Sequence, residues 1–339
     1  MGKEYSESAA GTLDSDPTAG VEFREHRLQL PPEAAGMRLD QALARALPDY
    51  SRARLQAWIE AGRVEVDGRK LRGKDKVLGG EQVCVHARWE ADTRVEPEAL
   101  ELTVVHRDRG ILVIDKPAGL VVHPGAGNPR HTLQNALLAL DPALARVPRA
   151  GLVHRLDKDT SGLLVVARTP QAHARLVAAL AARDVERVYL GVCTGVMTGG
   201  GTIDEPIGRH RTQRTRMAVR ADGRESVTHY RVIQRFRAHT QVRVQLETGR
   251  THQIRVHLGH IGYPLVGDPL YGGRKRVPAG CSPALVEALS TFSRQALHAA
   301  RLALEHPLTG KPLAWESALP ADMVGLLAAL EADERAARR

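Results

Sequence analysis

Cysteine, acidic residues and long apolar runs are all in short supply. The three cysteines, Cys84, Cys193 and Cys281, lie far apart and form no C-x-x-C pair. Neither a zinc site nor a disulfide framework is therefore expected, and a reducing compartment is. No run of about 18 apolar residues occurs, so no segment is expected to span a bilayer. The opening stretch MGKEYSESAAGTLDSD lacks both a basic start and an apolar core, which argues against a signal peptide or an anchor. These absences point to the cytoplasm. Acid is outnumbered, with 39 Asp and Glu against 48 Lys and Arg and a formal net charge of +9. That excess favours a polyanionic partner, nucleic acid or an acidic membrane surface, although solubility alone also accounts for it. Arg outweighs Lys, which suits bidentate phosphate recognition.

The 339 residues, 43% of them hydrophobic, have room for a sizeable core and two domains. Residues 1–20 are rich in Ser, Gly, Ala and acids and are expected to be a disordered tail. Residues 21–95 read as a small module with its linker. Leu39, Ala42, Leu43 and Leu47 recur at helical spacing. Ser51 stands as an N-cap before a second helix with Leu55, Trp58 and Ile59 on one face and Gly62 as its stop. Val64-Glu65-Val66 and the hairpin signal Asp67-Gly68 follow. Arg52, Arg54, Arg63, Arg69, Lys70, Arg72, Lys74 and Lys76 crowd this module. They are either a solvated face or a surface that tracks phosphates. Pro and acidic residues between Ala91 and Glu98 form the linker.

Residues 96–339 carry the densest polar motifs. Leu102–His106 and Ile111–Asp115 read as strands, and Asp115-Lys116-Pro117-Ala118-Gly119 as a turn. Leu133, Ala136, Leu137 and Leu140 mark a helix, and Thr169-Pro170 starts another. In GLVHRLDKDTSGLLVVAR, residues 151–168, Gly162–Ala167 reads as a buried strand. Asp157 is thus held in a loop beside it, with the permanent cation Arg155 two residues away. A guanidinium favours the ionised carboxylate. A structural ion pair and a catalytic carboxylate fit this stretch equally. Val242, Val244 and Leu246 alternate with polar residues as a half-buried strand. It runs into ETGRTHQIRVH, residues 247–257. Here His252 and His257 have no companion carboxylate at ligand spacing, so hydrogen-bonded histidines are expected rather than a metal site. RHRTQRTRMAVR, residues 209–220, holds five arginines and no acid. Met323, Leu326, Leu327 and Leu330 mark a packed final helix.

GLVHRLDKDTSGLLVV resembles the central motif of the RluA/RluD family of pseudouridine synthases, and ETGRTHQIRVH, GDPLYGG and Leu297-His298-Ala299 are similar to further family motifs. RLDQALARALPDYSRARLQAWIEAGRVEVDGR resembles the αL RNA-binding module first known from a small-subunit ribosomal protein. The likeness spans roughly residues 36–330. HPGAGNP, TRMAV and GDPLYGGR are closest to the D type within the family, which acts on large-subunit ribosomal RNA. The resemblance implies an α+β catalytic fold around a mixed, mostly antiparallel sheet. It places the nucleophile at Asp157, a tyrosine stacking on the target base at Tyr189, and the partner of Asp157 at Arg255. By the same resemblance Ile254 is expected to line the base pocket, and His154, Arg155 and Arg250 are expected to contact substrate. Gly191 stands where the family usually has Ala, which is expected to soften the strand carrying Tyr189.

The reaction so implied cleaves N1–C1′ of a uridine, rotates the base and rejoins it through C5. Nothing is oxidised and no group leaves, so no cofactor and no metal is expected. The carboxylate adds to C6, traps C1′ or assists base departure as a glycal forms. Tyr189 is a candidate base for the C5 proton. The expected partner is ribosomal RNA, as large-subunit RNA or a pre-ribosomal particle, met by a monomer with no membrane involved. Three other readings stand beside this one. A non-catalytic RNA-binding protein has no use for Asp157, Tyr189 and Arg255 together. A glycoside hydrolase needs a second carboxylate opposite Asp157, for which Asp159 is the neighbour in sequence. A synthase acting on tRNA would carry the same site.

Overall fold

A computed structural model describes residues 22–47, 50, 52–89, 95–125, 128–213, 215–273 and 277–338. The expected disordered tail, the Ser51 cap, part of the linker and Arg214 lie outside the described residues. The chain divides into two compact units, Met1–Thr93 and Arg94–Arg339.

The first unit packs two helices on a three-stranded antiparallel sheet. Its elements are β1 (Glu22–Gln29), α1 (Leu39–Ala46), α2 (Arg52–Glu60), β2 (Val64–Val66) and β3 (Gln82–Trp89), with β3 between β1 and β2. Leu39, Ala42 and Leu43 of α1 and Leu55, Trp58 and Ile59 of α2 form one core with Val64, Val66, Val83 and Val85. Strand alternation then turns Glu65, Cys84 and His86 to the opposite face. Asp67 and Gly68 both have positive φ, 47° and 71°. They form a two-residue turn closed by bonds of 2.8 and 2.9 Å exchanged between Val66 and Arg69, as the pair predicts. The ladder partner of β2 is not the segment after that turn but β3, so the hairpin reading holds for the turn alone. Asp40 is wholly buried and accepts from Arg38, Arg52 and Gln56. Arg52 therefore has a structural task, and Arg72 pairs with Asp75. Arg69, Lys70, Lys74 and Lys76 are exposed.

The second unit is α+β, as the resemblance implies. Its strands are β4 (Thr103–Arg107), β5 (Ile111–Lys116), β6 (Ser161–Ala167), β7 (Glu186–Thr194), β8 (Gly201–Asp204), β9 (Ile207–Arg209), β10 (Met217–Val219), β11 (Val227–Arg235), β12 (His239–Leu246), β13 (Leu297–Glu305) and β14 (Pro312–Glu316). Its helices are α3 (Leu133–Leu140), α4 (Pro170–Ala182), α5 (Gln253–His260), α6 (Pro283–Thr291) and α7 (Ala321–Ala337). Nine strands form one sheet in the order β4-β5-β6-β13-β7-β12-β11-β8, with β14 also on β13. Only β13 against β6 is parallel; β9 and β10 make a separate ribbon.

The centre of the sheet explains the TSG sequence. All of β6 is buried, and β13 lies between it and β7. Ala299 pairs with Gly162 on one side and Tyr189 on the other. Gly162 has φ +110°, and a Cβ there would stand 2.3 Å from Ala299 O, so only glycine fits. A Cβ on Gly191 would meet Leu265 at 3.0 Å. The glycine that was expected to soften β7 instead admits a closely packed leucine. Helix α4 is capped by Thr169, whose side chain accepts from Ala172 N–H. Met323, Leu326 and Leu330 of α7 pack with α6.

Candidate active site

The loop bearing Asp157 is pinned from beneath. Lys116, at the end of β5, is wholly buried. Its Nζ donates to the carbonyls of Pro117, Leu120 and Lys158 at 2.7, 2.9 and 2.9 Å. Burial pulls this amine down to about 7, against the nearby charges of Asp159 and Asp157. Arg294 donates to Asp159 O, and Gln295 to the Thr160 hydroxyl. The polar cluster read from the sequence is thus partly scaffold, and its one side chain left facing inward as an acid is Asp157.

Asp157 Oδ2 accepts from Arg255 Nη1 at 3.0 Å. Arg255 is delivered by α5, and its other edge grips Asp268 through Nε at 2.7 Å and Nη2 at 2.9 Å. Burial opposes the Arg255 charge, but Asp268 and Asp157 outweigh it and raise its pKa. Asp268 is buried as well; bonds from Arg255 and from the Leu270 and Tyr271 N–H groups hold it below the usual carboxylate range despite that burial. The guanidinium also lies 5.1 Å from the centre of the Tyr271 ring. The cation facing Asp157 is therefore Arg255, whereas Arg155, the sequence neighbour, is exposed at the mouth of the site.

All seven candidate residues, His154, Arg155, Asp157, Tyr189, Arg250, Ile254 and Arg255, line one cavity of about 380 Å³. Among the described lining residues Asp157 is the only acid, against Arg149, Arg155, Arg187, Arg250 and Arg255. Asp159 does not line it, so the second carboxylate that glycoside hydrolysis needs is not supplied from there. Tyr189 is 5% exposed, and burial raises its phenol pKa. Ile254 is buried, 4% exposed. His154 Nε2 accepts from Val165 N–H at 3.1 Å, and burial lowers this ring to about 3, so it is neutral. Arg250 Nε donates to Glu225 O at 3.1 Å.

One lining residue, Arg187, escaped the sequence reading, and another, His252, was read only as a hydrogen-bonded histidine. Arg187, two residues before Tyr189 on β7, is 6% exposed. Its Nη2 donates to Glu247 O at 3.0 Å, and its buried Nε has no partner. The spacing that places Tyr189 in the cavity places Arg187 there too, which was the available signal. His252 stands at the N-cap of α5 in the left-handed region, φ 57°, a conformation costing about 1–3 kcal/mol for a residue other than glycine. Its Nδ1 is 2.9 Å from the Tyr271 hydroxyl, and its Nε2 is 4.0 Å from Asp157 Oδ1. Met217 N–H already donates to that hydroxyl. This favours a hydroxyl proton on the His252 side and the ring proton on Nε2, facing Asp157. The sequence offered His252 no carboxylate; the fold supplies one. His257 instead bonds Thr228 and Glu205 O within the core.

Of the basic stretch 209–220, Arg209 ends β9 and Met217–Val219 form β10, the two strands of the separate ribbon. Arg220 is tied to Asp222, and Arg216 lies 5.2 Å from the Tyr271 ring centre. Among the described residues no helix is long and apolar enough to cross a membrane.

Comparison with known proteins bears on the family. Residues 110–260 match the RNA pseudouridylate synthase family, and residues 37–83 match the S4 domain. A Pseudomonas aeruginosa protein named ribosomal large subunit pseudouridine synthase D is 57% identical over 308 residues, covering 91% of this chain and 96% of that one. A Yersinia pestis protein of the same name is 57% identical over 299 residues, covering 88% and 92%. The solved structure of human RNA pseudouridylate synthase domain containing 4 is 28% identical, with a TM-score of 0.53, and covers 68% of this chain and 93% of that one. With relatives this similar along almost its whole length, the chain belongs to the RNA pseudouridylate synthase family.

Proposed function

We propose that this chain isomerises specific uridines to pseudouridine in large-subunit ribosomal RNA, as a cytoplasmic monomer, with Asp157 as the nucleophile on a flipped-out uridine. The observation that carries the reading is a carboxylate held by Arg255, the only acid among the described residues of a cavity that also presents four other arginines. A base must leave the stack to reach such a site, and the arginines around the mouth suit the flanking phosphates. The ribosomal target rests on the names of the relatives; the same chemistry on tRNA is the second reading.

Asp157 starts the reaction by adding to C6 of the uracil, by trapping C1′, or by assisting departure as a glycal forms. In each case N1–C1′ breaks, the uracil turns inside the cavity and C5 bonds to C1′. The C5 proton then leaves and N1 ends protonated, so the atoms balance without any added group. Ile254 and the ring of Tyr189 enclose the base. Because burial raises the Tyr189 phenol, its hydroxyl carries a proton at neutral pH, which favours stacking over the role of base. The exposed basic residues of the first unit supply salt-dependent affinity for RNA.

The test is complementation of a deletion strain with wild type or Asp157→Asn, followed by pseudouridine mapping in separately purified ribosomal RNA and tRNA. Wild type should restore sites in large-subunit RNA, and Asp157→Asn should restore none while still binding RNA. Restoration by the variant would remove Asp157 as nucleophile, and restoration in tRNA alone would move the target.

A further inference from the structure

We propose that Glu25, Cys84 and His86 form a binding site for a zinc-like divalent cation on the outer face of the first unit's sheet. The site is separate from the synthase cavity and unrelated to its chemistry. Cys84 and His86 are alternate residues of β3, so their side chains leave the same face. The register adds acids on both sides, since Glu25 of β1 is opposite His86 and Glu65 of β2 is opposite Cys84. The spacing of the cysteines hid this, because the ligands come from strands 59 residues apart.

The distances fit a tetrahedral ion. Cys84 Sγ is 3.2 Å from Glu25 Oε1 and 3.6 Å from His86 Nε2, and ligand atoms of all three residues lie within 4.8 Å of one another. With Zn–S of about 2.3 Å and Zn–N or Zn–O of about 2.0–2.1 Å, the edges of a tetrahedron are about 3.3–3.6 Å. Two of the three edges are thus already near their final length. Glu65 or water can take the fourth position. A thiol with imidazole and carboxylate selects a borderline-soft cation over calcium or magnesium, which take oxygen ligands.

Without a cation Cys84 Sγ donates to Glu25 Oε1 at 3.2 Å. A divalent ion would replace that thiol proton, which leaves to solvent. Arg27 now bonds Glu25 at 2.6 Å; it is largely exposed and can swing away as the ion takes the carboxylate. The bound ion would cross-link β1 to β3 and stabilise this unit by binding only its folded form.

The test is titration of the full, tag-free chain with Co²⁺, followed by displacement with Zn²⁺. One equivalent should produce the thiolate-to-cobalt charge-transfer band and the intense visible bands of a tetrahedral ion, and Zn²⁺ should abolish both. Cys84→Ser and His86→Ala should each lose the charge-transfer signal or its tetrahedral pattern, while Cys281→Ser keeps both. Zn²⁺ should raise the Tm of wild type and leave that of Cys84→Ser unchanged. No band at saturating Co²⁺, or a band that survives Cys84→Ser, would overturn the proposal.

Discussion

Arg255 reaches Asp157 across 98 residues of sequence with one nitrogen, while the remainder of its fork is held by Asp268. The guanidinium is therefore an adaptor. Asp268 sets its orientation, and the orientation sets where the Asp157 carboxylate points.

An ammonium cannot serve both acids in this way, because it lacks the planar fork. Arg255→Lys should keep RNA affinity near wild type and lower the single-turnover rate. A misplacement of about 1 Å in a reacting group can cost about 10²-fold, which sets the scale. Measuring the rate on bound RNA beside the affinity checks it. Loss of affinity with an unchanged rate on bound RNA would make Arg255 a phosphate contact instead.

Asp268 lies outside the cavity and should act through Arg255 alone. Asp268→Ala leaves a buried guanidinium half-paired and removes the acceptor for the Leu270 and Tyr271 N–H groups. Breaking one side of a buried pair costs about 3–5 kcal/mol, so denaturant unfolding should show a loss of that order. Asp268→Asn keeps the shape and an acceptor oxygen and should recover part of the stability while kcat stays low. If kcat follows the folded fraction in both variants, the residue has no positioning role.

The dense motifs were legible because polar residues in fixed order beside apolar strands have few structural uses. Asp157, Tyr189 and Arg255 come from a loop, a strand and a helix, and the resemblance named them together. Local adjacency misled where the chain turns back on itself. Arg155 is two residues from Asp157 yet faces outward, while Asp268 and His252 enter only through the fold. The turn at Asp67-Gly68 was readable from the φ its residues allow, but its strand pairs with β3, a choice made by the shared valine core and not by the turn. Lys116 read as part of a turn, since nothing local shows that the carbonyl of the distant Lys158 joins those of Pro117 and Leu120 on its ammonium.

The first unit should carry its own acid sensitivity through Asp40. Burial opposes the ionised form, yet bonds from Arg38, Arg52 and Gln56 outweigh it and hold the carboxyl at about 2, below its usual 3.8. The folded value is lowered, so the stabilisation is present above about pH 4 and is lost as pH falls through about 2. At 1.36 kcal/mol per unit the shift is worth about 2 kcal/mol. Asp40→Asn should lose that amount at pH 6, with the gap to wild type closing toward pH 2. Hydrogen exchange of Leu39–Ala46 in the full chain reads it locally, and a gap independent of pH would assign the loss to packing instead.

Arg187 should trade stability for function. It is buried beside Tyr189 with one carbonyl partner, an unsatisfied Nε and, among the described residues, no acid paired to it. A buried charge in that state is costly to keep, and burial lowers its pKa accordingly. If the cavity receives RNA, an oxygen of the substrate, either a phosphate or a uracil carbonyl, should supply the missing partner. Arg187→Met keeps the stem and removes the charge. It should leave Tm unchanged or raise it while lowering kcat/KM, a pattern that strained functional residues show. Arg187→Lys separates the two oxygens. An ammonium satisfies a phosphate as a point charge but not a planar bidentate contact, so recovery by Lys identifies the phosphate and failure identifies the base. A fall in Tm matched by an equal fall in activity for Met would make Arg187 part of the scaffold of β7.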